Sequence, residues 1–223
     1  MLMHSNPSEK HSLNKIPYFS IILPTYNRAW LVVRAIQSVL KQTFFDWELI
    51  VVDDGSEDNT EQILRKIFFD GRIIFLKIEH SGHIKARAVG IQKARGEIIT
   101  FLDSDDYYKP NHLEKNFNIL GLNSTLEVLH GTPTIIGETE VFDMENPGKK
   151  ISLTETANQG TFFVKNKILQ FISFQDFSFP EDYYFLKEVQ KQGWNTQRVQ
   201  MPTYVYDRTH SDQLSKNYQY CIS

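Results

Sequence analysis

Trp47-Glu48-Leu49-Ile50-Val51-Val52-Asp53-Asp54-Gly55-Ser56 is a continuous apolar, β-branched run that stops abruptly in two acids and a turn. A short run of this kind reads as a strand buried on both faces, as in a parallel sheet. The same order of residues recurs on either side. Apolar runs lie at Ser20–Leu23, Ile73–Ile78 and Ile98–Leu102, and each gives way to turn residues. Segments of helical spacing separate them. Val32, Ile36, Val39 and Leu40 form one apolar stripe, Ile63, Leu64, Ile67 and Phe68 a second, and Ile84, Ala88, Ile91 and Ala94 a third. Strand–helix–strand alternation predicts an α/β layered fold with a mostly parallel, Rossmann-like central sheet flanked by helices.

In an open parallel sheet, ligands bind beyond the carboxyl ends of the strands. Three polar clusters fall there: Pro24-Thr25-Tyr26-Asn27-Arg28, Asp53-Asp54-Gly55-Ser56 and Asp103-Ser104-Asp105-Asp106. Asp103 and Asp105, spaced i, i+2 after a buried strand, suit a hard divalent cation such as Mg2+ or Mn2+, which prefers oxygen ligands. The other reading is a solvated acidic turn capping the next helix. Without a cation, that much negative charge in one turn costs self-repulsion. Of Asp53 and Asp54, one can accept hydrogen bonds from a base or ribose while the other satisfies turn amides, with Asp58, Asn59 or Thr60 capping the next helix. Lys85 and Arg87 suit either a diphosphate or a solvated face.

The second half is less regular. A helix is expected around Asn111–Leu120, a strand near Val128–Ile136, and a polar, Gly- and Pro-bearing excursion from Gly137 to Asn158. A strand at Gly160–Val164, a helix at Glu181–Gln192 and a late strand at Thr203–Asp207 follow. In Pro180-Glu181-Asp182, a carboxylate at a helix start is either a cap or a general base. In Arg208-Thr209-His210-Ser211, His210 is a metal ligand, a phosphate contact or an ordinary exposed histidine.

At 223 residues the chain fits one domain with a real core. A hydrophobic content of 41% excludes disorder, and a net charge of −3 gives no reason to expect nucleic acid as a partner. The lone Cys221 excludes an internal disulfide framework, which fits a reducing, cytoplasmic compartment. Residues 1–17 are polar and read as a disordered leader rather than a signal peptide, and no run is long and apolar enough to span a membrane. Residues 18–223 are expected to form the domain, and peripheral work at a membrane surface stays open.

Together the motifs resemble glycosyltransferase family 2, the inverting family with the A-type glycosyltransferase fold. The resemblance runs in order through Ser20–Arg28, Leu40–Phe44, Glu48–Ser56, Ala86–Gly90, Gly96–Asp106 and Glu181-Asp182, from Ser20 to about Ser215. It implies a donor-binding half at 18–107 and an acceptor-binding half at 108–223, with a nucleotide-diphosphate sugar as donor, UDP-linked in most relatives. The implied acceptor is a glycan or lipid-linked hydroxyl in surface polysaccharide or glycolipid biosynthesis. Pro24, Tyr26 and Asp54 then belong to the nucleotide site. Asp103 and Ser104 approach the ribose or the outer shell of the metal, and Arg87 approaches the phosphates. Asp105 holds Mn2+ or Mg2+, with His210 near metal or phosphate. Asp182 is the catalytic base. The chain departs from the family in having His80-Ser81-Gly82-His83 where relatives often place Asn before Gly, and Ala88 where they have Asn, which bears on phosphate contacts.

Four other readings fare worse. A sugar nucleotidyltransferase would need a Gly-rich loop after the first strand, where Pro24–Arg28 has no glycine. A phosphatase with a nucleophilic aspartate would need its acids there too. A phospho-acceptor signalling domain would leave the second half without purpose. A degenerate nucleotide-binding homologue would have had no reason to keep Asp105 and Asp182.

Overall fold

The computed structural model describes residues 15–67, 70–143, 146, 148–176 and 181–210. Most of the expected leader, Phe68, Pro180, Ser211, Cys221 and the rest of the polar tail lie outside the described residues.

In chain order the elements are β1 (Phe19–Thr25), α1 (Leu31–Leu40), β2 (Trp47–Asp53), α2 (Thr60–Ile67), β3 (Ile73–Lys77), α3 (His83–Lys93) and β4 (Ile98–Phe101). They continue with β5 (Tyr107–Tyr108), α4 (His112–Leu122), β6 (Val128–Gly137), β7 (Glu140–Phe142), β8 (Lys150–Ser152), β9 (Phe163–Lys165), α5 (Glu181–Lys191) and β10 (Thr196–Arg208). Eight strands form one sheet in the order β3-β2-β1-β4-β9-β6-β10-β5, and β7 pairs with β8 in a separate ribbon. The first four are parallel; β9 enters antiparallel between β4 and β6, and β6 and β10 are parallel to each other.

β1, β2 and β4 are buried along their whole length. Their period-two alternation divides the core. Ile21, Leu23, Leu49, Val51 and Ile98 face one apolar cluster with Val32, Ile36 and Val39 of α1. Ile22, Ile50, Val52, Ile99 and Phe101 face the other, with Ala86 of α3 and Phe185 and Val189 of α5. Each such side chain contributes about 1.5–3 kcal/mol when fully buried. One polar knot crosses this core. Ser20 donates to Glu48 at 2.6 Å, Glu48 pairs with Arg95 at 2.8 Å, and the Gly96 N–H donates to Ser20 Oγ at 2.8 Å.

Four details differ from the sequence reading. The buried face of α3 centres on Ala86 and Gly90, whereas Ile84, Ile91 and Ala94 are only partly buried. A Cβ on Gly90 would lie 2.6 Å from Ile22 Cγ2, so small residues let the helix axis approach the sheet. The segment expected as a strand from Gly160 opens instead as a 3-10 turn, Gln159–Thr161, before β9. β10 begins seven residues earlier than expected, at Thr196, and slips register between Gln200 and Val205. Its first half is mostly exposed on its side chains, so no apolar pattern marks it. The excursion after Gly137 contains the β7–β8 ribbon.

Candidate active site

The carboxyl ends of β1, β2 and β4 meet α3 and α5 at one cleft. Asn27, after β1, adopts a left-handed φ of 51°, a region that short polar side chains tolerate. Its Oδ1 accepts the Glu57 N–H at 2.9 Å and its own N–H donates to Ser56 Oγ at 2.8 Å, fastening the first loop to the second. Both acids after β2 are committed to loop amides. Asp53 Oδ1 accepts the Ser56 N–H at 2.9 Å, and Asp54 accepts those of Ser81 and Gly82 at 2.8 Å each. Directly after them Gly55 turns at φ +76°, and a Cβ there would lie 2.8 Å from His80 N. His80 Nδ1 sits 2.9 Å from Asp54 Oδ2 and its ring stacks on Tyr26, centroids 4.1 Å apart at 18°. Asp54 therefore shapes the aromatic corner by holding the 80–82 loop.

At the end of β4, the acids split by direction. Asp106 turns inward and is buried. It accepts Tyr204 Oη–H at 2.5 Å and the Asp207 N–H at 2.9 Å, and burial, reinforced by Asp105 and Asp103, pushes its carboxyl well above the usual range. Asp103 and Asp105 border the cleft. The self-repulsion expected of this turn is met partly by arginines. Arg87 of α3 donates to Asp103 at 2.5 Å and to Glu181 at 2.7 Å. Arg34 of α1 donates to the Asp105 carbonyl and pairs with Asp207 at 2.7 Å, and Arg28 Nη1 is 4.0 Å from Asp105 Oδ2. Burial works against the Arg87 charge, but Asp103 and Glu181 outweigh it and raise its pKa.

Glu181 and Asp182 occupy the first turn of α5, where the helix dipole favours negative charge. Their environments push them apart. Burial raises Glu181, but the His83 hydrogen bond at 3.1 Å and the Arg87 charge outweigh it and hold the carboxyl at about 2. Asp182 is pushed up to about 7, first by burial and then by the Glu181 charge, against hydrogen bonds from the Tyr183 and Gln159 backbone N–H groups. Two neighbouring carboxyls with separated pKa values are the usual sign of separate roles. Glu181 is a permanent anion locking α5 to α3, and Asp182 is a carboxylate able to take up a proton near neutral pH.

The cleft encloses about 660 Å³. Pro24, Tyr26, Asp54, Arg87, Asp103, Ser104, Asp105 and Asp182 all line it, drawn together from five separate segments. His210 lies outside that lining, 3.8 Å from Asp207, with its Nε2 buried and without a hydrogen bond. Lys85 is exposed and does not line the cleft. Sequence reasoning missed Gln159 and the pairing of Arg87 with Glu181. The latter had a signal, the i, i+4 placement of His83 and Arg87 on one helix face; Gln159 had none. Among the described residues, no three His, Cys, Asp or Glu side chains are placed to hold a metal unaided. Asp105 offers a carboxylate oxygen at the cleft, the ligand type that suits a hard cation completed by substrate phosphates.

Residues 20–179 match the model of Glycosyl transferase family 2. A glycosyltransferase of Haemophilus influenzae is 34% identical over 187 residues, covering 79% of this chain and 74% of its own length. The Escherichia coli UDP-Glc:alpha-D-GlcNAc-diphosphoundecaprenol beta-1,3-glucosyltransferase WfgD is 34% identical over 178 residues, covering 77% and 69% respectively. Among solved structures, S. aureus TarS 1-349 in complex with UDP shares the fold at a TM-score of 0.70 and 24% identity, over 85% of this chain and 60% of that one. The mannosyltransferase PcManGT from Pyrobaculum calidifontis, in complex with GDP-Man and Mn2+, has a TM-score of 0.69 at 16% identity, over 92% of this chain and 61% of that one. This chain thus spans about three fifths of those two structures. With these matches over a cleft built at the carboxyl ends of its parallel strands, the chain belongs to glycosyltransferase family 2.

Proposed function

We propose that this glycosyltransferase moves a sugar from a UDP-sugar onto an acceptor hydroxyl with inversion at the anomeric carbon, using Asp182 as general base. The observation that carries the reading is the position of Asp182 in the same cleft as Tyr26, Asp103 and Asp105, where burial and the Glu181 charge raise its carboxyl toward neutral pH. A base is most effective when its pKa lies near the working pH, because it is then both ionised and able to hold the proton. The acceptor hydroxyl attacks the anomeric carbon, its proton passes to Asp182, and the bond to the diphosphate breaks in the same displacement. No covalent enzyme intermediate forms.

Tyr26, beside the loop that Asp54 holds, offers an aromatic face for the base. Pro24, Asp103 and Ser104 border the ribose. Arg87, paired with Asp103 and Glu181, borders the cleft and offsets their negative charge on the diphosphate side. Asp105 and His210 would hold Mn2+ or Mg2+; when bound, the cation offsets the negative charge gathering on the leaving diphosphate. The neighbours' ligands support this reading, UDP in TarS and GDP-Man with Mn2+ in PcManGT.

The diphosphoundecaprenol acceptor named for WfgD supports a lipid-linked acceptor in surface-glycan synthesis, reached from the cytoplasmic face of a membrane. Among the described residues no helix is long and apolar enough to cross one. Donor contacts cluster in 18–107, so acceptor choice falls to 108–223, and the β7–β8 ribbon within 137–158 is its most distinctive part. The test is to incubate the protein with UDP-glucose or UDP-N-acetylglucosamine, Mn2+ and a lipid-diphosphate N-acetylglucosamine acceptor, and to read the anomeric configuration of the product by NMR. Transfer with inversion is expected. Transfer with retention, or none from any UDP-sugar, overturns the proposal.

A further inference from the structure

Gln159 is 5% exposed, borders the cleft, and leaves both its amide nitrogen and its amide oxygen without a hydrogen-bond partner. Among the described residues no other side chain leaves a donor atom and a separate acceptor atom orphaned together. Buried amides are almost always paired, because an unmet donor or acceptor forfeits its water without compensation. An amide buried at the wall of the cleft with neither atom paired inside the protein is therefore placed to bond a bound molecule.

The backbone around it is fixed. Thr161 Oγ1 donates within its own turn to the Asn158 carbonyl at 2.7 Å and meets the Gly131 carbonyl at 3.1 Å, and Phe162 N–H donates to the Gln159 carbonyl at 3.0 Å. Gly160 presses so closely on Tyr204 that a Cβ there would lie 2.1 Å from the phenol oxygen. The Gln159 backbone N–H donates to Asp182, which ties this residue's main chain to the carboxylate proposed to receive the proton.

We propose that Gln159 reads a pair of adjacent hydroxyls on the sugar at the reacting centre. Resting on the glycosyl-transfer reading above, this makes Gln159 a specificity-determining residue. A carboxamide presents an N–H and a C=O side by side in one plane. It can donate to one hydroxyl and accept from its neighbour, and so recognises a vicinal diol by shape. Being uncharged, it does so without disturbing the adjacent base. A deoxy or substituted sugar would leave one half of the amide unmet, and a site built that way discriminates strongly.

The test uses Gln159→Met, apolar and of similar size, and Gln159→Glu, which keeps the shape and the acceptor but loses the donor. UDP, UDP-glucose and UDP-N-acetylglucosamine are titrated calorimetrically, and the KM of the lipid-diphosphate N-acetylglucosamine acceptor is measured alongside a thermal melt. If the diol belongs to the donor sugar, Gln159→Met weakens the preferred UDP-sugar by roughly 10- to 100-fold, the worth of two lost hydrogen bonds, while UDP binds as before. If it belongs to the acceptor, donor affinity is unchanged and the acceptor KM rises by that factor. In either case the melt of Gln159→Met does not fall, since the amide has no partner inside the protein. Unchanged donor affinity and acceptor KM in both variants overturns the inference and leaves the transferase reading intact. Failure of the unaltered protein to bind UDP overturns both.

Discussion

Replacing Asp182 with Asn should cost activity and add stability, and the second effect follows from the same pKa as the first. An acid whose folded pKa lies above its unfolded value binds its proton more tightly when folded. Its contribution to stability is therefore lost as pH rises from the unfolded value near 3.8 to the folded value of about 7, and the penalty persists above that. The full difference corresponds to roughly 4 kcal/mol, with solvent at the cleft mouth reducing it. Asn keeps an oxygen for the Tyr183 and Gln159 N–H groups and carries no charge. At pH 8 Asp182→Asn should thus melt several degrees above the unaltered protein, at about 2–4 °C per kcal/mol for a chain of this size. The gap should shrink by about 2–3 kcal/mol between pH 8 and pH 5. In kinetics, kcat/KM of the unaltered protein should fall below about pH 7, as the base is protonated. The variant should lose that limb and about 10²–10⁴-fold in rate. Melts at pH 5 and 8, with rates of acceptor-dependent UDP release from pH 5 to 9, test both halves. A variant with full activity, or one with no gain in stability at pH 8, refutes the reasoning.

Three further outcomes follow from the packing and charge at the site. Arg87→Met removes the partner of Glu181, which is 4% exposed, leaving His83 alone against that charge; stability should fall by about 3–5 kcal/mol in denaturant unfolding at pH 7. Gly160→Ala drives a methyl into Tyr204, whose hydroxyl Asp106 holds at 2.5 Å, so destabilisation of at least about 1–3 kcal/mol is expected with loss of turnover. Asp105→Ala should leave the melt nearly unchanged, because Asp105 borders the cleft rather than the core, while the response of nucleotide affinity to added Mn2+ disappears in calorimetric titration.

Much of residues 18–107 is visible in the sequence because its strands are buried on both faces. Ser20–Leu23, Trp47–Val52 and Ile98–Leu102 announce themselves as unbroken apolar runs, and the polar residues that follow each must then meet at one sheet edge. The second half obeys a different rule. Thr196–Gln200 is held by its ladder to β6 rather than by an apolar face, so only the tertiary partner defines it as strand. Around the site, the sequence reveals which residue types are present but not how they divide the work. Asp106 looks equivalent to Asp103 and Asp105 until Tyr204, 98 residues away, is seen holding it inside. Asp53 and Asp54 look like one structural acid and one binding acid; what the sequence does not reveal is that both accept loop N–H groups, Asp54 while bordering the cleft. Gln159 sits in a polar stretch with no motif, and only its burial beside Asp182 sets it apart.

The central claim is that this cleft holds a nucleoside diphosphate with a divalent cation. Its most direct test is calorimetric titration of UDP, with GDP alongside, in Mn2+ and again in EDTA. The account predicts that UDP binds in Mn2+, that EDTA removes or greatly weakens that binding, and that GDP binds less well. Binding of neither nucleotide to the folded protein, or UDP binding of equal strength in Mn2+ and EDTA, would contradict it.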